Sequence, residues 1–267
     1  MLLRFGKELM AVTAFKRLQS KYIPLVDVDQ NYEILSRNKV TGYSVNFPIA
    51  ETCQPSKICA ETCYGLRGPI IWSSSLNKHA KNYAWVKQDP LSFSKKLVAE
   101  CRKKLARDRY FFLRWNGVGD LFPESTEALL LLNEAIPELP IWCVTRIPDA
   151  VPPLVNLDNI WIHFSLDRES IKRKELLQKL LKHTPHNLFF SYQADKNEQL
   201  DCIPEDISVL FFDGYKLTPA NKHLQTEAAV CPLNLSTDIA NVCRSCRRCF
   251  NNQAVEMRSE AFKSLYK

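Results

Sequence analysis

From residue 42 onward, short apolar runs alternate with longer stretches in which apolar and polar positions recur at helical spacing. Tyr43–Pro48, Tyr110–Trp115, Ile141–Arg146, Ile160–Leu166, Asn187–Tyr192 and Ile207–Phe212 predict six strands. The near-continuous apolar character of FFL, FF and VLFF within them suits strands covered on both faces. Between the runs, Leu76–Lys87, Leu91–Ala106 and Thr126–Ala135 predict helices, and Asp149–Val155 a short irregular one. Ser170–His183 carries the clearest amphipathic pattern, with Ile171, Leu176, Leu177, Leu180 and Leu181 on one stripe. Residues 1–40 mix charge with apolar character, include a helical pattern over Lys7–Lys21, and read as an N-terminal cap.

Strands that alternate with helices imply right-handed parallel crossovers. The expected fold class is α/β: a partial or complete parallel β/α (TIM-like) barrel over 41–225, followed at 226–267 by a small cysteine-rich appendage. An open doubly wound sheet is the alternative. Either architecture gathers ligands at the carboxyl ends of the strands. That edge receives Arg146, Ser165, Asp167, Tyr192, Gln193, Asp195, Asp213 and Tyr215 from the ends of strands three to six. His163 lies within WIHFSL on the same alternating face as Trp161 and Ser165. His163, Arg146, Asp167, Tyr192 and Asp213 are therefore the catalytic candidates.

At 267 residues, with 46% apolar and 24% charged content, the chain can build a full core and lacks the composition of a disordered protein. It shows no basic segment leading into an apolar leader and no apolar run of bilayer length, which points to the cytoplasm and no membrane partner. The net charge of +7 suits a polyanionic partner such as DNA or RNA. Trp72, Tyr83 and Trp85, close to Lys78, Lys81 and Lys87, are base-stacking candidates, although aromatic residues at such helical spacing more often belong to a core. P-loop, GxSxG, HExxH and complete dinucleotide motifs are all missing, which argues against the common kinase and hydrolase classes.

The cysteines narrow the chemistry most. In a reducing compartment, close groups of thiols are better explained by metal than by disulfides. Cys101, Cys143 and Cys202 stand apart from the groups and read as small buried hydrophobes. Cys53, Cys59 and Cys63 follow the first strand as C-x5-C-x3-C. Three thiolates leave a structural zinc shell incomplete, whereas on a 4Fe-4S cluster they leave one iron open to a ligand. The second group, Cys243, Cys246 and Cys249, is spaced C-x2-C-x2-C, with a distant Cys231 before a proline. That spacing resembles ferredoxin-type 4Fe-4S loops, and four-cysteine zinc fits the same count. Cys231 can alternatively complete the first shell. Arg244, Arg247 and Arg248, interleaved with the ligands, offset the charge of a thiolate cluster.

LSRNKVTGYSVNFP (Leu35–Pro48), the cysteine loop ending in CYG (Cys63–Gly65) and WNGVGDLF (Trp115–Phe122) resemble the phage and plasmid gene-product-88 family. The same segment looks distantly like radical S-adenosylmethionine (SAM) enzymes, whose three-cysteine loop follows strand one of a β/α barrel. In those enzymes a Gly-Gly-Glu-type stretch after strand two holds the SAM amine; Gly117, Gly119 and Asp120 stand in that place here. The loop is longer than the usual C-x3-C-x2-C, its aromatic Tyr64 follows the last cysteine, and Asp120 is one methylene shorter than Glu. With Ser165 at the strand ends, Tyr64, Gly117, Gly119 and Asp120 form the cofactor-binding candidates. The resemblance implies a radical-SAM-like enzyme of a mobile element, acting on nucleic acid and fed by an electron donor. The alternatives are an iron-sulfur or zinc-stabilised nucleic-acid-binding protein without SAM chemistry, and a non-SAM iron-sulfur hydrolase or lyase.

Overall fold

The computed structural model describes residues 30–181, 185–195, 198–212, 217–227, 229–235, 242–247 and 249–250. The helix expected over Lys7–Lys21 and the candidate Asp213 lie outside the described residues. The chain opens with an antiparallel hairpin of β1 (Ser36–Asn38) and β2 (Gly42–Val45). Gly42 turns it at φ +78°, and the Asn38 side chain accepts the Val40 and Thr41 N–H groups at 2.7 and 3.2 Å. Two short helices, α1 (Ile49–Thr52) and α2 (Lys57–Thr62), carry the first cysteine loop. Next come α3 (Ser73–Gln88) and α4 (Pro90–Leu105), separated by a boundary that the sequence marks clearly. There Asp89 accepts the Ser92 N–H at 2.9 Å and Pro90 occupies the first helical position.

The rest of the chain runs β3 (Leu113–Trp115), α5 (Pro123–Ala135), β4 (Ile141–Thr145), β5 (Ile160–Leu166), α6 (Lys172–Leu180), β6 (Leu188–Ala194), β7 (Ile207–Phe212) and α7 (Val242–Cys246). The seven strands form one sheet in sequential order, and every pairing from β2 to β7 is parallel. Among the described residues β1 and β7 are its two edges. Asp149–Val155 proves to be two 3-10 turns, Pro148–Ala150 and Pro152–Leu154.

Strand register separates two faces of different chemistry. On one, Val45, Leu113, Trp115, Ile141, Cys143, Ile162, Phe164 and Phe190 join Phe93, Leu97, Leu129 and Leu132 from the helices in a single buried cluster. Each fully buried side chain of this size contributes about 1.5–3 kcal/mol. The opposite face carries Ser44, Arg114, Trp142, His163, Ser165 and Gln193. It is the face on which the candidate chemistry gathers.

Several details depart from the sequence reading. β1 is a seventh strand, and Ile34 and Leu35 just before it are buried in the core. A boundary at residue 40 therefore cuts a hairpin. Glu100 of α4 fastens this entry by accepting the Ile34 and Leu35 N–H groups at 2.9 and 3.1 Å. The stripe expected on α6 is narrower than its apolar residues suggest: Leu177 is buried, while Ile171, Leu176 and Leu180 are exposed. The reason is that α6 rests mainly on the Pro148–Ala150 turn rather than lying along the sheet. Trp85 belongs to the core and Tyr83 packs on Phe122, whereas Trp72 is 62% exposed. Cys101 and Cys143 are buried as expected, but Cys202, in a polar loop, is exposed.

Candidate functional site

The first cysteine loop is shaped by local capping. Cys53 closes α1 with its N–H on the Ile49 carbonyl at 3.0 Å. Ser56 opens α2, accepting the Cys59 N–H at 3.1 Å while its hydroxyl donates to Asp167. Cys63 ends α2 and starts a 3-10 turn over Tyr64–Leu66.

Residues at the strand ends then clasp this loop. Arg146, just past β4, directs Nη1 to Asp167 Oδ2 at 2.6 Å and Nη2 to Gln193 Oε1 at 3.1 Å. Gln193 in turn donates Nε2 to Thr62 Oγ1 at 2.7 Å. Arg173 donates to the Gln54 and Arg146 carbonyls at 2.9 and 3.1 Å. Asp167 is fully buried and the Arg146 side chain is only 7% exposed, so each neutralises a charge that would otherwise be stranded. Burial pushes the Asp167 carboxyl up, but the Arg146 charge with hydrogen bonds from Ser56 and Ser170 outweighs it and holds the group below its usual range.

Between loop and sheet lies a cavity of about 120 Å³, lined by Cys53, Cys59 and Cys63 and by Tyr64, Asn116 and Asp120. Arg114, Gly119, Arg146, Ser165 and Gln193 also reach it. Burial comes first in raising all three thiols. At Cys53 the Asp120 carboxylate and the other two sulfurs add to it, and Cys63 is pushed up to about 11. Asp120 is itself raised to about 6 by burial, although Thr145 Oγ1 and the Leu121 N–H donate to one oxygen and the Arg146 N–H to the other. Burial thus holds all four groups toward their protonated forms. Metal binding inverts this pattern, since it deprotonates coordinating thiols outright.

Asn116 leaves β3 at φ +56° with its side chain 2% exposed. Neither its amide nitrogen nor its amide oxygen has a hydrogen-bond partner. The glycines beside it serve close approach. A Cβ on Gly117 would stand 2.4 Å from Asn46 Oδ1, and one on Gly119, at φ +88°, 2.7 Å from the Phe47 carbonyl. Gly117 does not line the cavity, and its carbonyl accepts the Tyr64 hydroxyl.

The other candidates are placed as follows. Asp167 stands behind Arg146 rather than at the cavity wall. Tyr192 points to the helix-packed face, where its hydroxyl is held by Glu198 Oε1 at 2.6 Å, because its register matches Phe190 and not Gln193. His163 is on the cavity's face but nearer the amino ends, between Trp142 and Phe189, with Nε2 2.9 Å from the Cys249 carbonyl. Asn116 and Arg114 were absent from the sequence-based set. A lone charge inside FFLRW was the one signal that marked Arg114.

The second cysteine group packs on the same face. Cys243 and Cys249 sit against Phe112, Trp142 and Phe250, whose Phe112–Phe250 pair is stacked at 4.2 Å. Cys231 follows β7 with its N–H on the Leu210 carbonyl at 2.8 Å. The Pro232–Asn234 turn after it packs against α7, and Cys231 does not line the first cavity. Arg244 forms a two-point pair with Asp108 at 2.5 and 3.0 Å, and Arg247 stacks over Phe112 and Phe250. None of the ten cysteines is in a disulfide.

Among the described residues, no three His, Cys, Asp or Glu side chains are gathered closely enough for a single metal ion. One ion needs every sulfur at about 2.3 Å, whereas a cubane presents a separate iron to each thiolate and takes a wider set. The first set, with three thiols around one cavity, fits the cluster better than the ion. No helix among the described residues is long and apolar enough to cross a membrane.

The family described as gene product 88 matches residues 1–252, and the chain belongs to that family. No curated protein and no solved structure matches it.

Proposed function

We propose that this member of the gene product 88 family holds a 4Fe-4S cluster on Cys53, Cys59 and Cys63 at the mouth of a partial β/α barrel and uses it in radical-SAM-like chemistry. The observation that carries the reading is the shared cavity: three thiols from one loop, with no fourth cysteine on its wall among the described residues, at the carboxyl ends of parallel strands. The sequential strand order and the helix-packed single face suit a partial barrel whose interior is the polar face.

When bound, such a cluster would be held by Cys53, Cys59 and Cys63 and would supply the single electron for reductive cleavage of SAM. The chain's own residues prepare the place. Arg146, Asp167 and Gln193 hold the cysteine loop rigid. Asn116 offers an unpaired amide to a ligand in the cavity, and Asp120 adds a buried carboxylate. Tyr64 presents its ring at the rim, with its hydroxyl fixed by Arg114 at 2.9 Å. Cys231, Cys243, Cys246 and Cys249 form a second centre, a 4Fe-4S cluster or zinc. The net charge of +7 and the exposed Trp72 suit a nucleic-acid substrate.

The test needs no substrate. Protein purified without oxygen and reduced with dithionite is examined by electron paramagnetic resonance with and without SAM. A SAM-induced change in the cluster signal, lost in Cys59→Ala, is the expected result. An iron-replete protein whose signal ignores saturating SAM overturns SAM chemistry and favours the binding-protein reading.

A further inference from the structure

Arg114 occupies an unusual position. It is the charged residue of β3, on the inner face, and lies between the two cysteine groups. Upward it lines the cavity of Cys53, Cys59 and Cys63 and donates Nη2 to the Tyr64 hydroxyl at 2.9 Å. Downward its guanidinium lies 4.7 Å over the Trp142 ring, a member of the aromatic cluster against which Cys243 and Cys249 pack. Its Nε is buried without a partner, so the side chain is committed to this place without its hydrogen bonding being complete.

We propose that Arg114 is a positioning residue shared by both centres, a single cation that sets the reduction potential of each and joins them electrostatically. The inference rests on the reading that both cysteine groups hold iron-sulfur clusters. Thiolate-bound clusters carry net negative charge, and reduction adds one electron more. A fixed cation nearby favours the reduced form and raises the potential. Trp142 and Tyr64 flank the guanidinium, which holds the charge between the two cysteine groups.

The experiment is a potentiometric titration of both clusters, followed by electron paramagnetic resonance, in wild type, Arg114→Met and Arg114→Lys. Iron and sulfide are counted first. In Arg114→Met the reduction equilibrium of each cluster is expected to move about tenfold toward the oxidised form, about 59 mV for one electron. Arg114→Lys, which keeps the charge and loses the planar fork, is expected to restore most of it. Should Arg114→Met fail to retain iron, Arg114→Gln, which keeps the donor to Tyr64, supplies the neutral variant. Unchanged potentials in an iron-replete neutral variant overturn the proposal, as does a shift at one centre alone or a C-terminal group that binds only zinc. Wild-type protein without iron at Cys53, Cys59 and Cys63 instead overturns the reading beneath it, so the two failures are distinguishable.

Discussion

Asn116 and His79 are both buried with unsatisfied nitrogens, yet they sit in opposite settings. Asn116 lines the cavity, and its amide is buried there without a hydrogen-bond partner. His79, 3% exposed inside α3, lies away from the cavity, and burial, reinforced by the neighbouring Lys78 charge, lowers it to about 4. Its folded value lies below the ordinary 6.5 of the unfolded chain, so its contribution is whole above pH 6.5 and is lost as the pH falls toward 4. The difference corresponds to about 3 kcal/mol. His79→Gln is accordingly expected to show a smaller fall in Tm between pH 7 and pH 4 than wild type; an unchanged slope would contradict this. Little of this was legible in sequence. Histidine and asparagine look alike whether buried or exposed, and only the packing of α3 and the φ +56° exit from β3 separate them from surface residues.

At the scale of elements, the cysteine loop depends on its clasp. Removing Asp167 strands Arg146 in an almost dry position, and Asp167→Ala is expected to cost about 3–5 kcal/mol in urea unfolding of the metal-free protein. Asp167→Asn, which retains acceptors for the Glu169 and Ser170 N–H groups, is expected to cost less. Equal stability in all three proteins would show that the clasp is ornamental. The elements themselves were largely readable, because β4, β5 and β7 are short, mainly apolar runs and α4 carries its Asp-Pro start in plain view. β1 was not, since SRN has no apolar pattern and is a strand only because β2 offers it an edge. The α6 stripe misled for the reverse reason: periodicity reports what a helix is able to bury, and here the partner surface is one short turn.

Taken as a whole molecule, the chain lays its strands in sequence order and gives the sheet one apolar, helix-packed face and one face of polar and aromatic residues. Alternation of elements made the parallel sheet legible; the two-faced character was hidden, because Trp142, Trp161 and Phe189 look like core until register puts them opposite Cys143 and Phe190. The C-terminal cysteines were readable as a group but not as part of this face, a placement made by Phe250 stacking on Phe112 and by His163 meeting the Cys249 carbonyl. Both cysteine groups thus share one wall, with Arg114 between them. The most direct measurement is the iron and acid-labile sulfide content of oxygen-free protein, wild type against Cys53→Ala/Cys59→Ala/Cys63→Ala. Loss of about four irons and four sulfides in the triple variant is the expected result; equal content in the two proteins, or no iron in either, would contradict a cluster at the strand ends.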